Sequence, residues 1–183
     1  GSMQLWEMNP DGTGASQISD FDFDLTNWHY APDMKHISFT IEVEMEESLA
    51  KKHEDLPMAS GKAYDNLMFR HWTQWHDYKY SHVAYASIEN GKVSKTVTDI
   101  MPNDRADSPL APFGGGEQIA WTKDGKSIIY VSKKLVGKDY AVSTNSELYQ
   151  YNLESKNTIN LTQGNMGYDN EPVVSPNGDY LAW

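Results

Sequence analysis

Short stretches in which apolar and polar residues alternate recur along the chain, and turn residues separate them. Three of these stretches combine a short apolar strand, a Pro-Asp or Asp-Gly type of turn and an alternating strand, and they lie at 28–40, 119–132 and 171–183. Alternation with a period of two predicts β-strands, because successive side chains of a strand point to opposite faces. Repetition of one hairpin predicts a stack of similar units.

A second type of hairpin alternates with the first. Its copies end in polar strands that close on Ser or Thr, and they lie at 5–19, 83–98 and 148–162. Their turns contain Gly and Asn, which tolerate positive φ, or Pro, which presets the bend. Two hairpins make a four-stranded antiparallel sheet, which is one blade of a β-propeller. The predicted fold is therefore all-β: a partial β-propeller of four-stranded antiparallel blades, with a short helix in one insertion.

The spacing of the hairpins divides the chain into blades. We expect one propeller domain over 1–183, made of a half blade at 4–20, a blade at 27–100, a blade at 117–163 and a half blade at 171–183. The first complete blade exceeds the roughly 40–50 residues usual for such a unit, because it carries an insertion at 44–80. Both ends of the chain fall inside a repeat, and a propeller is stable largely because its ring closes. We therefore expect a fragment of a longer protein.

The start of the insertion has the pattern of a short amphipathic helix. Over 42–54, Met45, Leu49 and His53 lie four residues apart with charged residues between them. Acidic residues lead this segment and lysines trail it, as the helix dipole prefers. One hypothesis is an acidic helix over the mouth of the propeller that pairs with the positive amino terminus of a substrate. The alternative is an ordinary solvated helix with dipole-matched charges.

The second half of the insertion, 64–82, is the densest aromatic and basic stretch of the chain. If it is one strand, two faces alternate, with Met68, Arg70, Trp72 and Gln74 on one and Phe69, His71, Thr73 and Trp75 on the other. An Arg flanked by Trp can stack on the rings and bind a carboxylate. The alternative is that Arg70 is a structural donor to loop carbonyls or part of an ion pair between blades. A further hypothesis is a carbohydrate or peptide binder that uses Trp72 and Trp75.

Metal, cofactor and catalytic signatures are weak. His71, His76 and His82 lie close in sequence, but their spacing is not that of a zinc site. There is no Cys, and the Asp-Gly pairs lack the acidic pattern of a calcium loop. Neither a phosphate-binding loop nor a Gly-x-Ser-x-Gly elbow is present. The sequence therefore nominates no metal, no cofactor and no catalytic residue.

The charge balance narrows the possible partners. The formal net charge is −11, from 26 acidic and 15 basic residues. Phosphate binding needs clustered Lys and Arg, so nucleic acid and anionic membranes are disfavoured. No apolar run approaches the roughly 18–20 residues of a membrane span.

The repeats and the insertion resemble known families. Pro-Asp-x-Lys-x-Ile-x-Phe at 32–39 and the hairpin at 175–183 resemble the TolB-like propeller repeat. Within and after the insertion, the matching segments are 55–57, 64–75, 81–82, 114–121 and 168–172. These segments are similar to the prolyl oligopeptidase family, and to its dipeptidyl peptidase and acylaminoacyl peptidase branch in particular.

The resemblance implies a division of labour. In such a family the propeller lies over an α/β-hydrolase domain that follows it in sequence and carries the Ser, Asp and His, so no catalytic residue falls in this chain. The propeller restricts entry of peptide substrate, and paired glutamates sometimes hold the amino terminus of the peptide. On this basis Glu46 and Glu47 are predicted to bind substrate. The Arg–Trp pattern described above adds Arg70 and Trp72 to the predicted substrate-binding residues. The resemblance also implies a periplasmic or secreted protein.

An alternative function is a TolB-like propeller that serves as a protein-interaction scaffold. The repeats support it equally well, whereas the insertion at 44–80 counts against it. In either case, open blades expose unpaired backbone groups, so we expect self-association through their edges.

Overall fold

Short antiparallel strands form most of the regular structure in the computed structural model, which describes all 183 residues. The strands are β1 (Trp6–Glu7), β2 (Ser16–Gln17), β3 (Thr26–Tyr30), β4 (His36–Glu44), β5 (Arg70–His71), β6 (Gln74–Trp75), β7 (Lys79–Glu89), β8 (Lys92–Val93), β9 (Thr98–Asp99), β10 (Ile119–Trp121), β11 (Ser127–Ser132), β12 (Glu147–Asn152), β13 (Thr158–Asn160), β14 (Val173–Val174) and β15 (Leu181–Ala182). The helices are α1 (Leu49–Lys52) and α2 (Gly137–Val142), with a 3-10 turn at Gly116–Gln118. Neither helix has the length and apolar character that crossing a membrane requires.

The strands pair largely in chain order. β1 pairs with β2, and β3, β4 and β7 form the next sheet, in which both β8 and β9 pair with β7. β10 to β13 form a four-stranded sheet, and β14 pairs with β15. The first strands of the last three sheets approach one another, since β10 contacts both β3 and β14. Successive sheets with their first strands on a common side have the arrangement of propeller blades.

The alternation of β11 shows how each sheet is held between its neighbours. Ile128 and Tyr130 point into a buried cluster shared with the β3–β4–β7 sheet, whereas Ile129 and Val131 pack on the opposite face, toward the β14–β15 pair. A third cluster lies between the β1–β2 pair and the β3–β4–β7 sheet and contains Leu5, Ile18, Leu25, Ile37, Phe39, Ala84, Ala86 and Val93. Both faces of each central sheet are apolar because each sheet lies between two others.

The predicted helix over 42–54 is wrong in its extent. β4 continues to Glu44, because Ile41 and Val43 keep the strand alternation and this end of β4 pairs with β7. α1 has only four residues, and Ser48 caps it by accepting a hydrogen bond from the N–H of Lys51. α2 was not predicted, since six residues are too few for a helical period to stand out.

The segment 68–75 is not one strand. β5 and β6 form a hairpin, in which Arg70 pairs with Trp75 and His71 with Gln74. The chain reverses at Trp72, whose φ is 48°. Side chains assigned to opposite faces of one strand are therefore cross-strand neighbours.

Candidate functional site

The insertion between β4 and β7 lines a cleft of about 1250 Å³ at one end of the strands. Three segments line the cleft: the insertion, the connection from β9 to β10, and the loop from β11 to β12 that contains α2. Antiparallel strands alternate in direction, so every second connection emerges on the same side of a sheet. A large concave surface with convergent polar groups is the usual form of a binding site.

Stacked aromatic rings hold the insertion together. The ring of Tyr64 stacks on those of Tyr78, Phe69 and Trp75, with centroids 5.3, 5.8 and 6.2 Å away. Tyr78 is buried, and its hydroxyl donates to the carbonyl oxygen of Ala63 at 2.9 Å. Aromatic pairs at such distances are each worth about 0.5–1.5 kcal/mol beyond their burial. The insertion therefore has a small core of its own, anchored at the start of β7.

Arg70 lines the cleft with its side chain exposed. Its Nε donates to the carbonyl oxygen of Trp72 at 2.8 Å, and its guanidinium lies 5.5 Å from the ring centroid of Trp75. None of the ion pairs in the structure includes Arg70. Arg70 therefore donates to a loop carbonyl, which agrees with the structural interpretation of this residue. Its remaining guanidinium N–H groups are free to bind a carboxylate.

The structure separates the two predicted glutamates. Glu46 lines the cleft and accepts from Nη1 of Arg105 at 2.5 Å, whereas Glu47 is exposed and does not line the cleft. Trp72 is also highly exposed and lies at the rim rather than in the lining. Of the four predicted substrate-binding residues, only Glu46 and Arg70 thus line the cleft, and the role of all four stays a prediction.

Sequence reasoning missed a pair of acidic residues in the cleft. Glu42, on β4, and Asp107, after β9, face the same space, and Asp107 accepts from the N–H of Ser81 at 2.9 Å. Burial raises the pKa of both carboxyl groups, and the nearby charge of Asp77 raises each further. No spacing along the chain signals this pair, because pairing of β4 with β7 and the return of the chain after β9 bring it together.

Lys133 binds the α2 segment, which lines the cleft opposite the insertion. Its ammonium donates to the carbonyl oxygens of Tyr140 and Ser143 and lies 4.3 Å from the centroid of the Tyr140 ring. Burial lowers the pKa of Lys133 and raises the pKa of Tyr140 to about 12. These contacts fix α2 against the end of β11.

The three neighbouring histidines occupy different environments. His71 stacks on Trp72 at the hairpin tip, His76 packs on Tyr80, and His82 is buried inside the sheet. No group of three or more His, Cys, Asp or Glu side chains is arranged to hold a metal ion.

The sequence of the chain is similar to those of two curated bacterial peptidases. It is 34% identical to dipeptidyl-peptidase 5 of Porphyromonas endodontalis over 183 residues, which are 100% of this chain and 26% of that protein. It is 38% identical to dipeptidyl-peptidase 5 of Porphyromonas gingivalis over 159 residues, which are 87% of this chain and 23% of that protein. The chain thus spans about a quarter of the length of these curated relatives. No protein-family model matches it.

Among solved structures, TolB from Acinetobacter baumannii superposes on the chain with a TM-score of 0.51. The match covers 97% of this chain and 31% of TolB at 17% sequence identity, so it speaks for the fold alone. The chain is a partial β-propeller of TolB-like architecture, as predicted. Its similarity to the two Porphyromonas proteins relates this propeller portion to a part of dipeptidyl-peptidase 5.

Proposed function

We propose that this chain is the propeller portion of a serine peptidase of the prolyl oligopeptidase family, of dipeptidyl or acylaminoacyl specificity. In this proposal it gates the access of peptides to an α/β-hydrolase domain elsewhere in the same protein. Homology to the dipeptidyl-peptidase 5 proteins supports the class of enzyme. The observation that carries the gating role is the cleft, which the family-like segment 64–75 covers from one side.

The cleft offers chemistry for both ends of a short peptide. Glu42 and Asp107 are unpaired carboxylates whose mutual repulsion an ammonium group would relieve, and Glu46 lies in the same lining. Arg70 has free guanidinium donors beside the Trp75 ring, where a carboxylate or a backbone carbonyl can bind. We propose that these residues bind and orient the peptide, while the hydrolase domain supplies the nucleophilic serine.

The hydrolase activity is tested on the gene product that contains this chain. We expect it to release p-nitroaniline from dipeptidyl p-nitroanilides and to lose this activity after treatment with a serine-directed fluorophosphonate. Absence of any hydrolysis would overturn the peptidase proposal and leave the TolB-like interaction scaffold, which capture of a specific protein partner would support. The periplasmic or secreted location is a further part of the proposal, and cell fractionation with an antibody against the chain tests it.

The binding role is tested by paired substitutions in the same protein. Because Glu46 lines the cleft and Glu47 does not, Glu46→Gln is expected to raise KM for free-amine peptides by roughly tenfold, and Glu47→Gln by much less. Peptides with a blocked amino terminus serve as the control, since they lack the charge that Glu46 would bind. Equal KM values for all three proteins would contradict the amine-binding role.

A further inference from the structure

Two exposed aromatic side chains meet at the rim of the cleft. Trp72 is 70% exposed and Phe113 is 76% exposed, yet their ring centroids lie 5.4 Å apart in an edge-to-face arrangement. Trp72 forms the tip of the β5–β6 hairpin, and Phe113 belongs to the connection between β9 and β10. Their chain neighbours His71 and Pro112 line the cleft from the two sides. The aromatic pair therefore joins two walls of the cleft.

The backbone at Trp72 has a conformation that Trp rarely adopts. Its φ of 48° lies in the left-handed region, where Gly and Asn are favoured and a bulky side chain is disfavoured. Burial does not compensate, because most of the indole is in water. A two-residue hairpin loop takes a positive φ at its first position, which Gly, Asn or Asp satisfies at lower cost than Trp. The position of this side chain therefore suggests a role other than stability.

The hairpin has the attachments of a movable unit. Its rings Phe69 and Trp75 stack on each other and on Tyr64, so it is rigid within itself. Toward the other walls, the insertion has the solvent-exposed ion pair of Glu46 with Arg105 and the aromatic contact at its tip. Segments with few buried contacts to their surroundings open at lower cost than the sheets beneath them.

We propose that Trp72 and Phe113 form an aromatic gate at the mouth of the cleft. When the two rings are in contact, the gate excludes bulky molecules, and it opens by movement of the β5–β6 hairpin away from Phe113. The identity of the entering ligand as a peptide rests on the proposed function, whereas the movement itself does not.

The gate is tested by thiol labelling in the full chain. The chain has no Cys, so Ser81→Cys, a nearly isosteric change in the lining of the cleft, introduces one reporter thiol. Its reaction rates with small iodoacetamide and with a bulky dye-maleimide are then compared. Loss of an edge-to-face pair corresponds to roughly a two- to tenfold increase in the equilibrium constant for opening of the gate. We expect Trp72→Asn and Phe113→Ala to raise the maleimide rate by this factor and to leave the iodoacetamide rate unchanged.

A matched control is Trp6→Asn, which removes a similarly exposed indole from β1, outside the lining of the cleft. An unchanged maleimide rate in both gate variants, or an equal rise in the Trp6 control, would overturn the gate. Asn suits the left-handed backbone, so Trp72→Asn should maintain or raise the urea midpoint, and a lowered midpoint would assign Trp72 a structural role instead. No peptide is used, so failure of the gate is distinguishable from failure of the peptidase proposal, which hydrolysis decides.

Discussion

Nδ1 of His82 lies 2.9 Å from Oδ2 of Asp99, and the imidazole ring is completely buried in β7. Nε2 of the same ring lies 2.9 Å from the carbonyl oxygen of Asp104. A carboxylate and a carbonyl only accept hydrogen bonds, so both ring nitrogens donate and His82 is an imidazolium. Burial lowers the pKa of His82, but the hydrogen bond and charge of Asp99, together with Asp104, outweigh burial and raise it.

The raised pKa of His82 predicts that stability falls as pH rises. A group whose folded pKa exceeds its unfolded pKa stabilises the fold fully below the unfolded value, and this contribution disappears as pH rises through the folded value. We expect the urea midpoint to decrease as pH rises above the unfolded His pKa of about 6.5. Asp99→Asn should reduce this dependence, whereas His53→Gln, at an exposed position in the insertion, should retain it. A slope unaffected by Asp99→Asn would contradict this assignment.

Trp121 is predicted to fasten two adjacent sheets. Its indole Nε1 donates to Ser38 Oγ at 3.0 Å and to the carbonyl oxygen of His29 at 3.2 Å. Trp121→Phe keeps an aromatic ring but leaves the buried Ser38 hydroxyl without this donor, which costs about 1–3 kcal/mol. Urea unfolding measures the loss. Trp6→Phe is the control, since Trp6 is exposed and should change stability by less than about 0.5 kcal/mol.

Substitution of Gly116 is predicted to destabilise the fold because the ring of His29 lies against it. A Cβ at this position would lie 2.9 Å from Nε2 of His29, a ring that is hydrogen-bonded to the carbonyl oxygen of Gly116 at 2.8 Å. Gly116→Ala should therefore destabilise the junction of β3 with the 3-10 turn, whereas Gly167→Ala, which meets no atom within 4 Å, should not. In the double variant with His29→Ala, the cost of Gly116→Ala should shrink by about 0.5 kcal/mol or more. Strict additivity of the two substitutions would show that the clash is absent.

Self-association remains a prediction, and the last sheet offers a surface for it. Val173, Tyr180 and Trp183 expose most of their side chains on or beside the β14–β15 pair. Contiguous exposed apolar groups and free strand edges favour pairing between chains. We expect a concentration-dependent sedimentation coefficient that Val173→Lys reduces. A monomer at every concentration would rule out association through this surface.

The sheets could largely be predicted from the sequence, but of the site only Glu46 and Arg70 could. The hairpin turn at Asn90 and Gly91 and the alternation of β11 act over a few residues, so they can be recognised locally. The sequence predicts helix at the end of β4 because the charged residues after Val43 also fit a helical period. Residues up to Glu44 form a strand rather than a helix because they pair with β7, which is distant in sequence.

Local chemistry in the sequence by itself determined the repeating hairpins, the all-β architecture and the aromatic insertion. Only the tertiary structure decided that Glu42 faces Asp107, that Glu46 and Glu47 diverge, and that Trp72 meets Phe113 at the rim. The physical reason is the range of the interactions. A turn or a strand reports its preference within a few residues, whereas a cleft depends on how separate sheets stack and where their connecting loops converge.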